Sequence, residues 1–231
     1  IGLLGYLDDR KHIAARWRLL VHFLAAVSLV VALDKYPYLI VIDWELKEPL
    51  LHSVIYVVGL VWLVNLFNFM DGIDGIASVE AISVLLGATL ILWINAEPES
   101  SIWLLALVFS VGGFAVLNWA PAKIFMGDSG SLTIGFLIGV MAIELIEYET
   151  EILPYTIKHI SKPILAMSIL VYPLIDTMRV FTLRALKGIS PFTADRNHIH
   201  HRLIDHGLSH RQTVISIYLF NLIIISASVF A

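Results

Sequence analysis

The chain has 231 residues, 58% of them hydrophobic and only 15% charged, with a mean hydropathy of +0.84 and a formal net charge of −4. Soluble domains carry about 25% charged residues, so a water-soluble globule is excluded and a polytopic membrane protein is indicated. The lack of cysteine excludes disulfide frameworks and thiolate metal sites.

A bilayer crossing needs roughly 20 mostly apolar residues. Hydropathy places spans at about 17–33, 50–67, 77–95, 102–118, 131–147, 163–183 and 213–231. The expected fold is therefore an all-α helical bundle with about seven transmembrane helices in this segment. The sixth span contains Pro173, Asp176 and Arg179, which predicts a kinked helix with its polar end at the interface. Between the first two spans, residues 38–46 are rich in β-branched and apolar side chains and read as a short hairpin. The chain begins at Ile1 without a secretory signal and ends in an apolar run at Phe230-Ala231. The expectation is one integral-membrane domain, 1–231, truncated at both ends.

Alternating the spans assigns Arg10, Lys11, Arg16, Arg18, Lys123, Arg179, Arg184, Lys187, Arg196, Arg202 and Arg211 to one side. Only Lys35, Lys47, Lys158 and Lys162 fall on the other. This bias puts the first side in the cytoplasm. The same alternation gathers Asp8, Asp9, Asp71, Asp74, Asp128, Asp176 and the histidines of His198-Ile199-His200-His201 on that side. Carboxylates next to apolar spans are costly and mark function by default.

In chain order, Asp8 and Asp9 come first. Adjacent acids on a helix point apart, so they divide roles more readily than they chelate one ion, and helix-end acids are the alternative. Asn65, Asn68, Asp71 and Asp74 recur every three residues before Gly75. Amides and carboxylates together can bind ribose hydroxyls, a base edge or metal-bound water, although capping amides and a turn are also readable there. Gly127-Asp128-Ser129-Gly130 precedes a span. Asp128 could be a hard ligand for Mg²⁺ beside phosphate at a helix start, or an N-cap with Ser129. Phe125 could stack on a base. Asp176 and Arg179 have the spacing of an intrahelical pair, with a supporting role for Asp176 as the alternative. His198, His200 and His201 lie among Arg196, Arg202 and Arg211, which favours an anion over zinc because guanidinium forks match phosphate.

These four ordered motifs resemble the polyprenyl-phosphate N-acetylhexosamine-1-phosphate transferases, glycosyltransferase family 4. Ser190-Pro191-Phe192-Thr193-Ala194-Asp195-Arg196-Asn197-His198-Ile199-His200-His201-Arg202 is similar to the branch that makes lipid-linked N-acetylglucosamine or a related amino sugar. The muramyl-pentapeptide branch of peptidoglycan synthesis typically has three consecutive histidines, a pattern this chain departs from. The resemblance implies transfer of N-acetylhexosamine-1-phosphate from a UDP-sugar to undecaprenyl phosphate with release of UMP. It implies Mg²⁺, with Mn²⁺ as an allowed substitute, held by Asp128, Asp71 and Asp74. It puts Asn65 and Asn68 near the nucleotide and metal, Phe125 against uracil, and Asp8 and Asp9 near the acceptor phosphate. His200, His201 and Arg202 fall near the sugar diphosphate, with His198, Arg196 and Asp176 beside them. The implied location is the inner (plasma) membrane, multi-pass, with the active site facing the cytoplasm; nucleic acid is not an expected partner and a homodimer is allowed. Two rival classes remain: an intramembrane prenyltransferase, which would carry Asp-x-x-x-Asp repeats along helices, and a transporter, whose acids would line a midplane path.

Overall fold

The computed structural model describes residues 1–33, 39–41, 44–46, 48–94, 98–147, 162–188 and 197–230. Its helices are α1 (Gly2–Lys11), α2 (Ala15–Leu33), α3 (Pro49–Met70), α4 (Ile76–Ile94), α5 (Pro98–Asn118), α6 (Gly127–Glu147), α7 (Lys162–Ile169), α8 (Val171–Leu186), α9 (Ile199–Asp205) and α10 (His210–Phe230). A short antiparallel pair, β1 (Leu39–Val41) and β2 (Trp44–Leu46), joins α2 to α3 with Leu39 opposite Leu46 and Val41 opposite Trp44. This matches the hairpin read from the sequence. The chain is an all-α polytopic membrane protein apart from this pair.

Among the described residues, six helices are long and apolar enough to cross a bilayer: α2, α3, α4, α5, α6 and α10. Each predicted span from 17–33 to 131–147, and 213–231, coincides with one of them. The 163–183 segment is instead two helices, α7 and α8, bent by 81°. The cause is local. Pro173 has no N–H to give to the carbonyl of Ile169, and its ring crowds that carbonyl. The α7 helix ends at Ile169 and α8 starts at Val171. One face of α8, with Tyr172, Asp176, Thr177 and Arg184, is buried, while Ile175, Met178 and Leu186 are exposed.

Lipid tails are as apolar as leucine, so helix association in a membrane relies on close packing more than on water exclusion. The α3–α6 contact shows how. A Cβ on Gly135 would lie 3.0 Å from the Leu63 carbonyl oxygen and the Val64 Cα, and one on Gly139 would lie 2.7 Å from Leu60. Two glycines four residues apart on α6 thus admit the α3 backbone. On its other side α6 receives α1, where a Cβ on Gly5 would sit 2.5 Å from the Asp128 carbonyl oxygen. The interior contains Phe67, Leu66, Ile138, Leu85 and Ile169, all essentially inaccessible. The consequence for function is a fixed meeting point: the C-terminal ends of α1 and α3 and the N-terminal end of α6 come together.

Candidate functional site

The α1 helix ends at Lys11, and His12 follows in the left-handed region at φ 45. That turn brings Arg18 of α2 back over the acids. Arg18 Nη1 donates to Asp8 Oδ2 at 2.5 Å and to Asp128 Oδ2 at 3.2 Å. Asp128 Oδ1 accepts from Asn68 Nδ2 at 2.6 Å, and the same amide donates to Ser131 Oγ at 3.1 Å. Asp8 is buried, and its Oδ1 also accepts the Ile13 N–H. Burial alone would raise the Asp8 carboxyl, but hydrogen bonding with Asp128, the Ile13 N–H and the Arg18 guanidinium together hold it below its ordinary value.

Asp9 points the other way. Its Oδ1 accepts the N–H of Asp128 at 2.9 Å and its Oδ2 accepts that of Ser129 at 3.1 Å. Asp9 thus caps α6 from a different helix, where the unpaired N–H groups and positive helix end favour a carboxylate. Asp128 lies within the first turn of α6, so the capping that the sequence could assign to Asp128 and Ser129 belongs to Asp9. Gly127 permits the approach, with φ +63 and its missing Cβ 3.0 Å from the Asp9 carboxylate oxygens.

Asp71 follows directly after α3. Burial, then the charges of Asp128 and Asp9, push its carboxyl up to about 6. Asp74 takes a different direction: its Oδ2 accepts the Ala122 N–H at 3.1 Å and lies 3.6 Å from His210 Nδ1. Arg211 donates through Nε to the Ala120 carbonyl at 2.6 Å. Together these clamp the loop that joins α5 to α6. Asn65 is also apart from Asn68, with Nδ2 donating to the Val61 carbonyl at 2.7 Å and facing His22 Nδ1 at 3.2 Å.

The histidines close the other side. Asp176 Oδ2 is 2.8 Å from His198 Nδ1, and its Oδ1 accepts the Ile199 N–H at 2.8 Å and lies 3.3 Å from Arg179. Asp176 therefore serves both readings, as an intrahelical partner of Arg179 and as the support of the histidine segment. Arg179 also donates to the Asn197 carbonyl. His200 is fully buried, with Nδ1 3.1 Å from the Tyr172 hydroxyl. Burial and the neighbouring His201 push its ring down to about 3, so it is neutral at physiological pH. Its other ring nitrogen, Nε2, is buried and has no hydrogen-bond partner. That nitrogen is 2.6 Å from where a Cβ on Gly72 would be, and His201 Nε2 is 3.2 Å from the same point.

The structure thus brings Asp8, Asp9, Asp128 and Asn68 together, with Asp71 close enough to feel their charge and His200 and His201 against the Asp71-Gly72 turn. It does not bring Asp74 or Asn65 into the Asp128 hydrogen bonds. Phe125 is 76% exposed and Arg202 is exposed; Arg196 lies outside the described residues. Among the described residues no three acidic or histidine side chains converge tightly enough to hold a metal. The donor type nonetheless fits a hard divalent cation: the Asp8 and Asp128 carboxylates meet at Arg18, and burial, then the charges of Asp128 and Asp9, raises Asp71. Arg18 and Tyr172 were not singled out as site residues from sequence. The first stands among several cations at a span end, and the second inside an apolar run.

An apolar groove of about 600 Å³ runs along α2 and α3, lined by Leu19, Leu20 and Phe23 of α2, Val58, Val61 and Trp62 of α3, and Phe181 of α8. Arg16 and Asn65 are at its polar end. A second cavity of about 230 Å³ shares Phe23 and Val58 with it and continues along α2 and α3 to Val31 and Val54.

The site is thus an acid–amide–arginine cluster at one end of a multi-helix membrane fold, with an apolar groove along α2 and α3. The profile of glycosyl transferase family 4 matches residues 1–146, and the chain belongs to that family. It is 32% identical over 146 residues, 62% of this chain and 38% of the relative, to the undecaprenyl-phosphate alpha-N-acetylglucosaminyl 1-phosphate transferase of Escherichia coli K12. It is 34% identical over 237 residues, 96% of this chain and 61% of the relative, to a Bacillus subtilis protein named "Probable undecaprenyl-phosphate N-acetylglucosaminyl 1-phosphate transferase". A Yersinia pestis protein with the same name as the Escherichia coli one is 30% identical over 222 residues, 93% of this chain and 59% of the relative. The chain spans less than two thirds of the length of each.

Proposed function

We propose that this chain forms the catalytic core of an enzyme that moves N-acetylhexosamine-1-phosphate from a UDP-sugar to undecaprenyl phosphate and releases UMP. N-acetylglucosamine is the favoured sugar. The observation that carries the reading is the Asp8–Arg18–Asp128–Asn68 cluster, held on the same ends of α2 and α3 that supply Arg16 and Asn65 to the apolar groove. A polar site and an apolar groove on the same two helices suit a water-soluble diphosphate and a prenyl acceptor. The names of the relatives support the same substrates. The site then faces the cytoplasm, as the distribution of lysine and arginine favours.

An oxygen of the acceptor phosphate attacks the sugar-bearing phosphorus of the donor, forming one P–O–P linkage and breaking another to leave UMP. The acceptor's second pKa is near about 6, by analogy with phosphorylated side chains, so no protein base is needed at neutral pH. Arg16 meets the acceptor phosphate at the groove end. Asp8, ionised and held by Arg18, orients that complex without taking a proton. His201, half-buried against the Asp71-Gly72 turn with the buried His200 ring packed behind it, faces the donor diphosphate. Asp128 and Asp71 are the residues that would hold Mg²⁺, with Asp74 fixing the adjoining loop; when bound, Mg²⁺ (or Mn²⁺) supplies neutralisation of the diphosphate and of departing UMP.

The test is a panel of UDP-sugars offered to purified protein with undecaprenyl phosphate, with and without Mg²⁺. The expected result is lipid-soluble label, UMP in equal amount and loss of both without the cation. Label entering from a prenyl diphosphate would favour a prenyltransferase, and flux across vesicles without UMP would favour a transporter; either overturns the reading.

A further inference from the structure

One acid stands apart from the site. Glu80 lies one turn inside α4, 2% exposed, and its Oε2 accepts a hydrogen bond from Asn221 Nδ2 of α10 at 2.6 Å. Asn221 is itself fully buried. Each partner has one further buried oxygen without any hydrogen bond, Glu80 Oε1 and Asn221 Oδ1. Among the described residues no ion pair to Glu80 is found. An ionised carboxylate here would be an unpaired charge in a membrane interior, and both orphaned oxygens are acceptors that cannot satisfy each other. One proton on Oε1 removes the charge and makes that oxygen a donor, for which Asn221 Oδ1 is the unpaired acceptor on the partner already bonded to Oε2.

We propose that Glu80 is a neutral carboxylic acid joined to Asn221 by two reciprocal hydrogen bonds, and that this tie is a positioning device for the donor side of the site. The link to function runs along α10. Its first residues, His210 and Arg211, contact Asp74 and the Ala120 carbonyl, and Asp74 also holds Ala122. Asn221 is eleven residues further along, about 17 Å at the α-helical rise. Two contacts so far apart fix the tilt of α10 against α4, and with it the α5–α6 loop that leads into Phe125 and Asp128. Removing the deeper contact frees the upper end of α10 to swing, which loosens the loop without touching Asp8, Arg18 or the α2–α3 groove.

The acid–amide pair is symmetric under exchange, and that gives the test. In Glu80→Gln/Asn221→Asp the acid and the amide change places with no change in side-chain length. This variant, and Glu80→Gln alone, should keep the wild-type KM for UDP-sugar. Glu80→Ala should raise that KM several-fold while the KM for undecaprenyl phosphate stays put. In lipid nanodiscs the wild-type infrared spectrum should contain a protonated-carboxyl C=O band that is missing from Glu80→Gln. Because the chain has no native cysteine, spin labels at Lys123 and Ser209 report the loop-to-α10 distance on a clean background, and Glu80→Ala should broaden it. Loss of function in Glu80→Gln as deep as in Glu80→Ala, or no such band, overturns the proposal. The kinetic arm rests on the proposed transfer. If the wild-type protein transfers nothing, that reading fails, and the infrared band and label distances still decide the tie.

Discussion

The carboxylate of Asp9 holds the backbone N–H groups of Asp128 and Ser129, at 2.9 and 3.1 Å, across 119 residues of sequence. The second acid of an acidic pair thus acts on the helix that presents Asp128, while its neighbour Asp8 faces Arg18. The two acids are separable by experiment. Asp9→Ala removes a cap and should cost about 1–2 kcal/mol, seen as a lower Tm together with a weaker Mg²⁺ dependence of turnover. Asp8→Asn should leave the α6 cap intact and act on turnover at saturating Mg²⁺. Equal Tm values for Asp9→Ala and wild type would remove the capping role.

Asp71 gives a pH test. Its folded value of about 6 lies above the ordinary 3.8, so without metal the carboxyl favours the folded state at low pH and that contribution is lost as pH rises through about 6. Ionised at neutral pH, it costs up to about 3 kcal/mol. Asp71→Asn should therefore raise the metal-free Tm at neutral pH and change it little near pH 4. Mg²⁺ should raise the Tm of the wild type more than that of the variant, while transfer by the variant is lost.

His200 works in the opposite direction. Its ring falls to about 3 from an ordinary 6.5, so stability is full above 6.5 and declines as pH drops from there toward 3, by at most about 5 kcal/mol. His200→Gln should flatten that decline. Tm measured against pH in an Asp71→Asn background isolates the effect, since Asp71 titrates with the opposite sign in the same window.

The closeness of α1 to α6 can be probed by a single methyl group. Gly5→Ala places a Cβ 2.5 Å from the Asp128 carbonyl oxygen; overpacking of this kind costs about 1–3 kcal/mol, and transfer should fall further than stability because Asp8 and Asp9 move off Asp128. Gly59→Ala is the control. Nothing lies within 4 Å of that Cβ, and in a helix the change should stabilise by up to about 1 kcal/mol. Thermal unfolding and initial rates on both variants decide it.

The helices were readable because apolar length is a local property. The same holds for the break near Pro173, where a missing N–H acts within four residues. The direction of each polar side chain was not, since it depends on which helix lies next to it. Asn65 and Asn68 illustrate this: a three-residue step rotates about 300° on a helix, enough to turn one toward His22 of α2 and the other toward Asp128 of α6. Asp9 reads as a site acid from its motif, but its hydrogen bonds exist only because glycines allow α1 to rest on the start of α6. Asp74 similarly depends on the fold of a loop nearly fifty residues later. Tyr172 carried no signal at all, because its hydroxyl acts on a histidine in a distant segment.

The bend between α7 and α8 has a mechanical meaning. Asp176, which steadies His198 and the first turn of α9, is carried beyond the bend, on a limb whose outer side exposes Ile175, Met178 and Leu186. Thinning or thickening the bilayer would press on that limb and alter the angle it makes. The histidines would shift with it relative to the Asp71-Gly72 turn, so the proposed sugar-phosphate transfer would respond to acyl-chain length and lateral pressure.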